Sequence, residues 1–180
     1  MKTKTCLLYC LWLLFSLQGC NKDTFNGKDQ LPPEAQTGAN TVGCLVNGKV
    51  YLPSQRGIYS PVSCHYEFID GEFFFTMAFS DDKNFGPTVS VQTGRVNLQV
   101  GQTYILNKNT VDDGDYTGGG GGYFPTVSNI YRTNLTKTGE LKITRVDVSN
   151  SIVSGTFWFD AANSAGEKVE IRQGRFDWRY

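Results

Sequence analysis

The amino-acid sequence predicts an all-β protein: a single antiparallel β-sandwich domain of about ten short strands, with a β-barrel as the alternative. Three observations carry that expectation. Apolar and polar residues alternate with a period of two over most of the chain after Thr41, the pattern of strands with one buried face. Turn residues recur at short intervals between these runs, and no window of helical spacing competes with them. The composition agrees, because 20 glycines and only 19% charged residues among 180 suit a chain of many turns. A chain of this length makes one domain rather than two.

The first segment lies outside that domain. Lys2 and Lys4 precede an apolar run over residues 6–15, CLLYCLWLLF, and the small-residue approach SLQG. A positive head, a short apolar core and a small-residue cleavage region make residues 1–19 an export signal. The run is too short for a bilayer-spanning helix, which takes about 17–25 apolar residues. Residues 20–40 hold little apolar material, a Pro32-Pro33 pair and several Gly, Asn and Asp. That is tether composition, and a flexible coil of this length spans roughly 25 Å. The β domain is then expected over residues 41–180.

Within the domain, VGCLV and KVYL flank Asn47-Gly48, a hairpin signal because a type I′ turn needs positive φ at both central residues. VSCHYEFI and EFFFTMAF flank Asp70-Gly71 in the same way. TVSVQT sets Val89 and Val91 on one face and Ser90 and Gln92 on the other. TYIL follows at 103–106, and then TVSNIYRT, ELKITRVDV, IVSGTFWFDA, KVEIR and RFDWRY. In the last run Phe176, Trp178 and Tyr180 share a face, so the carboxyl end is expected to be built into a sheet.

Charge excludes one class of partner. Lys and Arg balance Asp and Glu at 17 each, and removal of the signal takes away two lysines and no acid, leaving a slightly negative chain. There is no bulk attraction for nucleic acid and no basic stripe to supply a local one.

Two resemblances add to this reading. Leu17-Gln18-Gly19-Cys20 resembles the lipobox of bacterial lipoproteins. It implies cleavage before Cys20 and a diacylglyceryl thioether on that sulfur. The protein is then anchored in the outer membrane, at either the periplasmic face or the cell surface. Two or more acyl chains give a stable anchor where one gives a marginal one. Lys22-Asp23 close behind resembles the surface-export signals of Bacteroidota lipoproteins. The stretches TGANTVGCLVNGKVYLP and IVSGTFWFDAANSAGEKVEIRQGRFDWRY are similar to a family of uncharacterised Bacteroidota lipoproteins with a lipobox, a Pro-containing tether and one β domain. The shared positions are Gly43, Cys44, Asn47 and Gly48, then Gly155, Thr156, Phe157, Gly166, Val169, Ile171, Gly174 and Phe176. These are turn-and-strand signatures, which imply a fold and no chemistry.

With Cys20 lipidated, Cys44 and Cys64 are the remaining cysteines of the exported chain. Paired, they would close a loop worth roughly 3 kcal/mol; unpaired, they are two separate buried thiols. The disulfide is the expected form. Cys64-His65 suggests a catalytic dyad, but neighbours in a strand point to opposite faces, and His65 is the single histidine. No metal, no cofactor and no catalytic residue is therefore expected.

Residues 111–125, VDDGDYTGGGGGYFP, form the oddest stretch. Asp112, Asp113 and Asp115 offer oxygens, though not at the spacing of a calcium loop. Five glycines resist a fixed conformation without a partner. With Tyr116, Tyr123 and Phe124 at its flanks, the stretch is either a contact loop for glycan or protein, or a mobile connection whose aromatics fold back on the domain. In Phe157-Trp158-Phe159 aromatics occupy both faces. An exposed Trp158 would offer a stacking platform to a sugar ring, but a core position is the reading adopted. The expected function is a non-catalytic binding module for glycan, peptide or protein, with the 112–124 loop as its site. The alternative is a structural subunit of an outer-membrane or surface assembly, making its contacts through sheet edges.

Overall fold

Asn47-Gly48 and Asp70-Gly71 turn the chain as their chemistry requires, with φ of 49° and 79° in the first pair and 51° and 88° in the second. In the computed structural model, which describes residues 30–55, 57–82, 86–110 and 116–180, these turns join β1 (Thr41–Val46) to β2 (Lys49–Tyr51) and β3 (Val62–Ile69) to β4 (Glu72–Ser80). The remaining strands are β5 (Thr88–Gly94), β6 (Thr103–Leu106), β7 (Gly118–Thr126), β8 (Asn129–Arg132), β9 (Gly139–Asp147), β10 (Ile152–Ala162) and β11 (Lys168–Arg179). Residues 1–19, expected to be an export signal, together with Cys20, residues 21–29, Asp112, Asp113 and Asp115 lie outside the described residues. Among the described residues no helix is long and apolar enough to cross a membrane.

The strands form one continuous sheet in the order β2-β1-β11-β10-β9-β6-β7-β5-β4-β3, with β8 pairing β10 and β7. The sheet doubles over so that its two halves face each other across one core. Phe75 of β4 meets Phe176 of β11 at 5.6 Å between ring centroids, and Tyr66 of β3 meets Tyr180 edge-on at 5.8 Å. Phe75, Phe79, Met77, Leu141, Ile143, Phe159 and Ile171 are wholly buried between the halves, and each such side chain contributes roughly 1.5–3 kcal/mol. The sandwich is mixed rather than purely antiparallel, because β6 and β7 pair in parallel at Leu106 and Gly119. KVEIR and RFDWRY, two runs in the sequence, are one strand, β11, interrupted by a bulge. The carboxyl end is tied in as expected, since Tyr180 N donates to Ser151 O at 2.9 Å.

Three expectations are corrected. The glycine run is strand β7, hydrogen-bonded to β5 throughout, from Gly94↔Gly118 to Thr88↔Phe124. From Gly119 to Gly122 neighbouring groups occupy the space of a side chain, and Gly118 takes a φ of 116°. A Cβ at Gly121 would stand 2.7 Å from the Phe159 ring, and one at Gly119 2.8 Å from Leu106. The entropy lost on ordering glycine is offset by the close approach of the two layers.

The second correction concerns the cysteines. Both thiols are free and buried. Cys44 lies opposite Tyr51 and Cys64 opposite Met77. Their strands β1 and β3 are not neighbours in the sheet, so each thiol packs as a small apolar group. Burial raises the Cys44 thiol far above its ordinary value and pushes Cys64 up to about 12.

The third concerns the tether, whose last part is not free. Residues 31–40 are a strap laid along the outer face of the domain. Asp177, only 1% exposed, accepts the backbone N–H groups of Thr37, Gly38 and Ala39 at 2.8–2.9 Å. It also accepts the hydroxyl of Ser154 at 2.6 Å. Arg145 and Arg175 donate to the carbonyls of Gln36 and Pro32. The Asn150 amide and then the Arg145 guanidinium hold the neighbouring Asp147 carboxyl down at about 2. Most of the strap's polar contacts are made by its backbone groups, which composition does not reveal.

Candidate functional site

The outer faces of β6, β9, β10 and β11 carry the side chains that the core rejects. Cross-strand register arranges them in two rows. Thr103, Lys142, Thr156 and Arg175 stand side by side in one, since Thr103 pairs with Lys142, Lys142 with Thr156 and Thr156 with Arg175. In the next, Ile105 pairs with Glu140 and Glu140 with Trp158. At strand spacing, four strands span roughly 14 Å. Glu34 of the strap also lines the groove, which has a volume of about 450 Å³.

Trp158 lines this groove, which corrects the core reading given to it. The period-two pattern of β10 buries Phe157 and Phe159 and turns Trp158 outward, 37% exposed. Its indole Nε1 donates to Glu140 Oε2 at 3.3 Å. The Arg172 guanidinium lies 5.4 Å from the centroid of the ring, a favourable cation–π distance. Arg172 is itself held by Asp160 at 2.5 Å and by the carbonyls of Phe159 and Ile171 at 3.1 and 3.0 Å. The ring is fixed in place before any ligand arrives, which lowers the entropy cost of binding.

A bulge creates this arrangement. β10 and β11 are in register at Phe157↔Gly174 and again at Phe159↔Ile171, so Arg172 and Gln173 together oppose Trp158. Gln173 takes a φ of 50°, the left-handed conformation at which a strand is re-aimed. A second irregularity, between Ser154 and Gly155 on β10, leaves Thr144 extra on β9. Both Gln173 and Thr144 line the groove. The signals for this site were present as Gly155 and Gly174 inside alternating strands, where glycine marks a bulge or a close approach. A Cβ at Gly155 would stand 2.5 Å from the Lys142 carbonyl.

The flanking aromatics of the glycine run fold back on the domain. Tyr116 covers Gly94, where a Cβ would meet its carbonyl at 2.6 Å, and burial pushes its hydroxyl up to about 12. Tyr123 packs on Tyr131 at 5.8 Å, and Arg132 lies 5.6 Å above the Phe124 ring. The structure therefore does not gather these three at one exposed surface.

On β3, Cys64 points inward and His65 outward. His65 Nε2 lies 2.9 Å from Ser63 Oγ, and its Nδ1 lies 3.5 Å from Glu67 Oε1. The imidazole and the carboxylate are both more than half exposed, so water solvates them and the low-dielectric setting that activates a nucleophile is missing. Among the described residues no group of three His, Cys, Asp or Glu side chains could hold a metal ion.

A bent all-β sheet bearing a mid-sheet groove with an exposed tryptophan defines a small sandwich domain with an amphipathic surface groove. The family model described as a domain of unknown function, DUF6252, matches residues 84–177, and the chain belongs to that family. The match takes in every residue lining the groove except Glu34. No curated protein and no solved structure matches the chain.

Proposed function

We propose that the protein is a non-catalytic binding module held at the bacterial outer membrane through lipid on Cys20, and that its ligand site is the Trp158 groove rather than the 112–124 loop. The observation that carries the reading is the exposed tryptophan, braced by Glu140 and Arg172 on a bulge that aims residues into the groove. An exposed, braced aromatic adds little to stability, which makes ligand contact the reason for its placement. The lipoprotein character rests on the export signal and Leu17-Gln18-Gly19-Cys20, which resemble those of Bacteroidota lipoproteins.

Passing envelope extract over the immobilised full chain tests the site. Trp158→Ala should abolish capture while leaving circular dichroism unchanged; undiminished capture would remove the groove from consideration. Incorporation of labelled palmitate, lost in Cys20→Ser, tests the anchor. A second reading, a structural subunit, is favoured by one observation. β3 ends the sheet, with Phe68 and Ile69 exposed at 63% and 47%, and an open apolar edge invites another strand. Capture lost in Phe68→Glu and retained in Trp158→Ala would favour that reading.

A further inference from the structure

The chemistry of the groove goes further than its existence. We infer that it takes a neutral glycan, with an uncharged pyranose ring stacked on the exposed part of Trp158; this rests on the groove being the ligand site. A pyranose is amphipathic in a particular way: its axial C–H bonds form an apolar face and its hydroxyls form a polar rim. The groove repeats that division. The electron-rich indole face is the apolar surface, and it attracts polarised C–H groups. Around it stand Glu140, Gln173, Lys142, Arg175 and the threonine hydroxyls. Such side chains offer donors and acceptors for sugar hydroxyls, with carboxylate, amide and guanidinium groups able to engage two at once.

Charge narrows the class. Glu34 and Glu140 balance Lys142 and Arg175 among the lining residues, and Arg172 beside the ring is paired with Asp160, so the groove has no net attraction for a phosphate or uronate chain. Position narrows it again. The groove lies on side chains in the middle of a sheet whose strands β6, β9, β10 and β11 are already paired with one another, apart from the two bulges. A peptide adding as a strand finds no ladder there. With a single aromatic face and a polar surround, the groove also lacks the enclosed apolar pocket that anchors a protein partner. The two rows are open along their length, with Ile105 exposed at 52% beyond Glu140, so a chain of several sugar residues fits better than a single ring.

Affinity electrophoresis of the full chain in detergent, through gels containing β-glucan, xylan, mannan or starch, tests the inference, with alginate and polygalacturonate beside them. At least one neutral polysaccharide should retard the protein. Trp158→Ala should weaken that retardation about tenfold or more, as loss of an aromatic stacking face does elsewhere, and Trp158→Tyr should restore part of it. The inference is overturned if no neutral polysaccharide retards the chain, if only the acidic polymers do, or if Trp158→Ala leaves retardation unchanged. Absence of glycan binding together with Trp158-dependent capture from envelope extract would overturn the ligand class and leave the groove standing. Loss of both would overturn both.

Discussion

Asp177→Asn is the most informative single substitution, because that carboxylate joins the strap to the sandwich. One oxygen accepts Gly38 N–H at 2.8 Å and the Ser154 hydroxyl at 2.6 Å; the other accepts Thr37 N–H and Ala39 N–H at 2.9 Å. An asparagine keeps the shape but turns one acceptor into a donor, so at least one of these sets of groups faces an NH₂ group. A hydrogen bond to a charged group contributes about 1.5–3 kcal/mol. Two lost at once set a ceiling of roughly 3–6 kcal/mol, but the strap can lift and give its N–H groups to water. The expected loss in unfolding free energy is therefore about 2–4 kcal/mol. Hydrogen exchange read beside urea denaturation separates the two parts: amides 37–39 should lose protection before the core of β10 does. A loss under about 1 kcal/mol, with amides 37–39 protected as in the parent chain, would refute the strap as a carboxylate-held element. The same group predicts an acid dependence. Burial raises the Asp177 pKa, but bonds from Ser154, Ala39, Gly38 and Thr37 outweigh it and hold it below the ordinary value. A depressed carboxyl stabilises the fold above its unfolded pKa of about 3.9, and this stabilisation disappears as pH falls through the folded value. Strap protection should thus be full at pH 5–7, begin to weaken below about pH 4 and be lost as pH falls through the folded value.

Further outcomes follow from the core and the thiols. Gly121→Ala places a methyl 2.7 Å from the Phe159 ring, and overpacking there should cost about 1–3 kcal/mol by urea denaturation. Deleting residues 118–122 removes a central strand and should abolish the cooperative transition rather than merely shorten a loop. Trp158→Ala should cost about 1–2 kcal/mol, whereas Phe159→Ala, one residue away and wholly buried, should cost about 3–5 kcal/mol. Equal costs would refute the assigned faces of β10. The Cys44 and Cys64 peptides should carry alkylating reagent only after denaturation, since burial keeps both as thiols at pH 8. A linked Cys44–Cys64 peptide in the unreduced digest would contradict the free thiols.

Local pattern was enough for much of the fold. Alternation gave β3, β4, β5, β9 and β10 nearly to their ends, and Asn47-Gly48 and Asp70-Gly71 gave two hairpins, because those features depend on neighbouring residues alone. The site was partly legible: alternation through Phe157-Trp158-Phe159 already requires Trp158 to face away from both phenylalanines. Which side faces the core is a property of the layer opposite, which the run itself does not contain.

The strand identity of Gly118–Gly122 is the clearest case of what the sequence could not supply. Read alone, the glycines promise freedom, but Leu106 at Gly119, Thr110 and the Lys108 carbonyl at Gly120, and Phe159 at Gly121 take the space a side chain would need. The bulge at Arg172–Gln173, the balanced charges around Trp158 and the grip of Asp177 on the strap likewise join residues far apart in the chain. By itself the sequence determined the strand content and two turns. The tertiary structure decided the order of the strands, the free thiols and the groove, because each depends on which distant backbone comes within a few ångströms.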